Sequence, residues 1–99
     1  MKYLIWLSND STSVKEIATG LKKQDIDVEL LLVQDGVFLA DKGCHESSEL
    51  KEMGLKIYAI KHHVEERGLA NRLAVDVDLI DYPDVVDLIM EKSDKVISL

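Results

Sequence analysis

A chain of 99 residues with 12 basic and 19 acidic side chains has room for one domain, spanning residues 1–99, and its net charge of −7 repels phosphate backbones and excludes unaided nucleic-acid binding. With 46% hydrophobic and 31% charged residues it has the balance of a folded globular protein, though a core of this size is modest and association with other subunits is a natural source of further stability. The longest apolar run, Leu30-Leu31-Leu32-Val33, falls far short of the roughly 20 residues of a membrane-spanning helix, so no membrane insertion is expected.

Met1 to Leu7 lacks the length and the small-residue cleavage site of a signal peptide, so it reads as a first strand in a cytoplasmic protein. The polar cluster Ser8 to Thr12 ends it. Ser13 and Glu16 form a capping-box pattern, and Val14, Ile17, Ala18 and Leu21 recur at helical spacing up to Lys22 and Lys23. Val28 to Val33 is an almost unbroken apolar run, the mark of a strand covered on both faces at the centre of a parallel sheet. Gln34-Asp35-Gly36 ends that strand, and Val37 to Ala40 starts a short helical turn. A loop from Asp41 to His45 leads to a second short helix, Glu46 to Met53, closed by Gly54.

Leu55 to Ile60 is a third strand, followed by a short helix from Lys61 to Arg67 that Gly68 terminates. Val75, Val77 and Leu79 alternate with Asp76 and Asp78, which predicts a fourth strand near an edge with one face less buried. Asp81 caps a final helix that tolerates Pro83 in its first turn and carries Val85, Val86, Leu88, Ile89 and Met90 as its apolar stripe. Val96 to Leu99 closes the chain as a fifth strand. Strands alternating with helices give a small three-layer α/β/α sandwich on a mostly parallel sheet of about five strands.

Open α/β sheets bind ligands beyond the carboxyl ends of their strands, which directs attention to Ser8 to Thr12, Gln34 to Gly36, Lys61 to His63 and Asp81-Tyr82. No P-loop and no dinucleotide fingerprint occurs there, so no cofactor is expected. Cys44 is the one cysteine, which precludes an internal disulfide and agrees with a reducing compartment. A helix N-terminus and His45 beside it favour a thiolate, whereas Glu46 and Glu49 oppose one, so an incidental thiol is the preferred reading over a persulfide carrier. Adjacent His62 and His63 diverge by about 100 degrees on a helix and lack zinc-ligand spacing, so solvated histidines are expected, and no metal. Asp76, Asp78, Asp81 and Asp84 read as a solvated face followed by a cap.

Three segments carry a family likeness: Leu30-Leu31-Leu32-Val33-Gln34-Asp35-Gly36-Val37, Lys56-Ile57-Tyr58-Ala59-Ile60 running on to Glu66-Arg67-Gly68-Leu69, and Leu79-Ile80-Asp81-Tyr82 with Val85-Val86-Asp87-Leu88. In order and spacing, over about two-thirds of the chain, they resemble the DsrH/TusB family of sulfur-relay subunits. The resemblance implies a DsrE-like fold and a place beside DsrE/TusD-like and DsrF/TusC-like subunits in a hetero-oligomer that passes persulfide sulfur between cysteines. One branch of that relay leads to 2-thiolation of the tRNA wobble uridine, another to sulfur oxidation. Some family members carry a cysteine on the first helix, but Val14 to Lys23 has none, so no family cysteine maps onto Cys44. The expected role is an accessory, non-catalytic subunit; the alternatives are a sulfurtransferase carrying persulfide on Cys44 and a stand-alone homo-oligomeric binding domain. Gln34, Asp35, Gly36, Arg67, Gly68, Asp81 and Tyr82, from the three matching segments, are the candidate partner or ligand contacts, with the Gln34-Asp35-Gly36 turn reading equally as a strand-to-helix junction that needs Gly.

Overall fold

The computed structural model describes residues 1–8, 14–44, 48, 52–73 and 77–99. Strand β1 (Lys2–Leu7) leads to helix α1 (Val14–Lys22), strand β2 (Asp27–Leu32) and a 3-10 helix, Gln34–Ala40. Strand β3 (Lys56–Ile60), helix α2 (Lys61–Glu66), strand β4 (Val77–Ile80), helix α3 (Tyr82–Asp87) and strand β5 (Lys95–Ser98) follow. Leu88–Lys92 continues α3 as a wider π turn.

The strands form one five-stranded sheet in the order β4-β3-β2-β1-β5, and all four pairings are parallel. Right-handed crossovers explain where the helices go. Three successive steps from β1 to β4 move in one direction, so the helices described between them, α1, the 3-10 helix and α2, lie on one face. The return from β4 to β5 runs the other way, which carries α3 to the opposite face.

The packing follows that division. On the first face, Val14 and Ala18 of α1, Val37 and Leu39 of the 3-10 helix and Val64 of α2 pack on Ile5, Leu7, Leu30, Leu32 and Ile57. On the second face, Val85 and Leu88 cover Leu4, Leu31 and Ile60. Leu30, Leu31 and Leu32 are each 0% exposed, because β2 is central and roofed on both sides, as its apolar run predicts.

The structure departs from the sequence expectation at three places. The helical turn begins at Gln34, three residues before Val37, because the chain turns directly off the end of β2. Leu79 is 39% exposed, since β4 is an edge strand with little covering it. The apolar stripe of the last helix is divided: Val85 and Leu88 are buried, whereas Val86 and Met90 point away from the sheet at 57% and 76% exposure. The Ser13 cap, the loop residue His45, most of the helix expected from Glu46 to Met53, and Val75 with Asp76 lie outside the described residues.

Candidate functional site

The carboxyl ends of β1, β2 and β3 and the starts of α2 and α3 surround a pocket of about 230 Å³, lined by Trp6, Ser8, Val33, Gln34, Ile60, His63 and Tyr82. Chain topology creates it. The loop after β3 leads to α2 on the first face, whereas the loop after β4 leads to α3 on the second, so the sheet edge between them is left open as a crevice.

The turn after β2 is fixed against the end of β1. Val33 N–H donates to the Leu7 carbonyl at 2.9 Å, and Gly36 N–H donates to the Val33 carbonyl at 2.9 Å. Gly36 is buried, and a Cβ there would lie 2.9 Å from the Leu7 carbonyl carbon and closer still to its oxygen. Only glycine lets the turn pass so near β1. Gln34 takes φ +48, a left-handed conformation uncommon for a residue with a side chain.

That turn aims the Gln34 N–H at His63 Nδ1, at 2.8 Å. His63 Nε2 lies 3.0 Å from the Tyr82 hydroxyl oxygen, with the two rings edge to face at 6.1 Å. A backbone N–H can only donate, so Nδ1 is the acceptor and the neutral ring carries its proton on Nε2. Nε2–H therefore donates to Tyr82 Oη. Burial, and secondarily the positive charge of Arg67, lower the His63 pKa below its usual 6.5, which agrees with a neutral ring.

Arg67, one turn further along, donates from Nε to Asp35 Oδ1 at 3.0 Å and from its guanidinium to the His63 carbonyl at 3.4 Å. Gln34, Asp35, Arg67 and Tyr82 thus meet around His63, which sequence reasoning left as a solvated histidine. The strand-end rule did mark Lys61 to His63, but the His63 partners sit 29 and 19 residues away in sequence. The other expected contacts have structural roles. Gly68 ends α2 with φ +67, and Asp81 caps α3 in a reciprocal capping box with Asp84.

Cys44 is not among the residues lining this pocket. It is half-buried against the core of the first face, and its N–H donates to the Asp41 carbonyl at 2.9 Å. His62 pairs with Glu66 at 2.8 Å, and Asp78 pairs with Lys56. No group of three or more metal-binding side chains occurs among the described residues. A larger groove of about 550 Å³ lies at the other end of the sheet, lined by Lys2, Asp25, Glu29 and Lys56 among others. It borders the amino ends of the strands, where parallel sheets do not ordinarily place ligands.

Comparison with known sequences decides the family. The pattern of the DsrH like protein family matches residues 8–95. This chain belongs to the DsrH family. Protein TusB of Escherichia coli O81 (strain ED1a) is 38% identical over 91 residues, covering 92% of this chain and 88% of that one. Protein TusB of Escherichia coli (strain K12 / DH10B) is 40% identical over 83 residues, covering 84% and 80%. Among solved structures, the crystal structure of ychN protein from E. coli superposes over 100% of both chains with a TM-score of 0.77 at 17% identity, a likeness of fold. The expectation drawn from the three motifs, a DsrH/TusB sulfur-relay subunit involved in tRNA thiolation, is borne out at the level of the family. Membership also places the chain in a relay complex with other subunits. No helix among the described residues is long and apolar enough to cross a membrane.

Proposed function

We propose that this DsrH-family chain is a single-domain accessory subunit of a cytoplasmic relay complex, bound to DsrE/TusD-like and DsrF/TusC-like subunits whose cysteines carry the sulfur. Its destination is the 2-thio group of the tRNA wobble uridine. The observation that carries this reading is the composition of the strand-end pocket. The residues lining it include a histidine and a tyrosine but no thiol, while the chain's one cysteine packs against the first-face core. A persulfide carrier needs a thiolate at an accessible, electropositive position, and the pocket supplies none from this chain.

Two further features support a partnered state. Tyr82, Val86 and Met90 recur every four residues and are 56%, 57% and 76% exposed, an apolar line on the one helix that covers the second face among the described residues. Exposed apolar patches of this kind mark interaction sites. Gln34 and Tyr82 line the pocket, Arg67 bonds both Asp35 and the His63 carbonyl, and these four are the contacts proposed for a partner.

The test is an affinity capture of the tagged chain from its native lysate at moderate salt, with bound proteins identified by mass spectrometry. Recovery of two cysteine-bearing DsrE-like proteins in comparable amounts supports the reading. Recovery of the chain alone as a homo-oligomer overturns it and makes Cys44 the residue to examine.

A further inference from the structure

Among the described residues, the guanidinium beside the strand-end pocket is already engaged. Arg67 is paired with Asp35 at 3.0 Å, whereas the Asp81 and Asp84 carboxylates, each accepting from the other's backbone N–H in the helix cap, keep their negative charges. With His63 neutral, none of the described lining residues carries a formal charge. An anion would lose its hydration there without gaining a counter-charge, so the pocket discriminates against anions.

The hydrogen-bond chain sets the polarity of what remains. Gln34 N–H donates to His63, and His63 Nε2–H donates to Tyr82 Oη. The Tyr82 O–H proton is then left without an acceptor among the described residues, and as a rotatable hydroxyl it is available to a ligand. The floor beneath it is apolar, formed by Trp6, Val33 and Ile60. At about 230 Å³ the volume falls below the roughly 300 to 1,000 Å³ of sites for drug-sized ligands, which limits the occupant to something of side-chain size.

We propose that this pocket binds one uncharged group with a compact apolar body and a hydrogen-bond acceptor, the body resting on Trp6, Val33 and Ile60 and the acceptor taking the Tyr82 O–H. The His63 tautomer is what makes Tyr82 a donor, so His63 is a positioning residue for this site. Two sources supply such a group: a small neutral metabolite, or the end of an uncharged side chain from a bound subunit. The pocket chemistry is the same in both cases and does not depend on the relay role.

Cyclohexanone is a suitable probe, being neutral, compact and an acceptor only; cyclohexanecarboxylate is its anionic counterpart. Each is titrated at pH 7.5 into the isotopically labelled chain while the Trp6 indole and Gln34 amide resonances are followed. Trp6 is the sole tryptophan, so its indole signal is unambiguous. Saturable shifts with cyclohexanone, and binding at least tenfold weaker for the carboxylate, are expected. Tyr82→Phe keeps the ring and removes the donor, and weakens cyclohexanone about fivefold, the worth of one hydrogen bond. Shifts that never saturate, a carboxylate that binds as tightly as the ketone, or unchanged affinity in Tyr82→Phe overturn the proposal. Repeating the titration on the assembled complex separates the sources. Loss of probe binding there assigns the pocket to a partner side chain, and retention assigns it to a small molecule.

Discussion

Replacing Gly36 by Ala tests the account of how the site is built. A Cβ at this position would stand 2.9 Å from the Leu7 carbonyl carbon, 3.5 Å from the Leu7 Cβ and nearest of all to the Leu7 oxygen. The obstacle is backbone, not a side chain that swings aside, and Leu7 is itself 0% exposed. Relief requires the turn to move off β1, which breaks the 2.9 Å bond from Val33 N–H to Leu7 O. Overpacking of this kind costs about 1 to 3 kcal/mol, and the lost bond about 1 more, so a loss of about 3 kcal/mol is expected. For a domain of this size that lowers Tm by about 12 to 24 °C. Calorimetry or circular dichroism reads it directly. Gly20→Ala is the control: Gly20 lies within α1 with nothing within 4 Å of an added Cβ, so it should gain about 0.5 to 1 kcal/mol. A Gly36→Ala variant melting within about 3 °C of the parent, against the scale of those estimates, would refute the argument.

Other expectations follow from the same geometry. Gly68→Ala puts a side chain at φ +67 in open space, so the cost is conformational strain alone, about 1 kcal/mol by denaturant titration. His63 has its pKa lowered in the fold, so the native state binds a proton less readily than the unfolded chain. Its contribution to stability is present in full above pH 6.5 and is lost as the pH falls through the native-state value. His63→Gln should lack that component of the decline when stability is measured across this window. Arg67→Ala removes a partly exposed ion pair and should cost less than about 1 kcal/mol, yet it should move the His63 titration upward, as followed by the His63 ring resonances. An unchanged His63 titration would mean that Arg67 does not act on the ring.

The parts of the fold that the sequence disclosed are those where one physical requirement dominates. The run from Val28 to Val33 reads as a central strand because a strand roofed on both sides has no polar face to show. Asp81 and Gly68 announce their helix ends because a cap and a left-handed turn each demand particular residue types. Val86 and Met90 misled for the opposite reason. Periodicity records that they are apolar, not whether this chain covers them, and both face away from the sheet. His63 was obscured because its role rests on Gln34 and Tyr82, which the meeting of strand ends brings to it and which no local spacing encodes. The position of the pocket, by contrast, follows from topology, since the strand-end rule needs only the order of elements.

The claim that this subunit assists a relay without carrying sulfur itself is tested most directly by tRNA 2-thiouridine content, measured by mass spectrometry in a deletion strain complemented with the parent chain or with Cys44→Ser. Both chains should restore thiolation to the same level. Restoration by the parent and failure by Cys44→Ser, with the variant present in equal amount, would contradict the claim and make Cys44 a carrier of the sulfur.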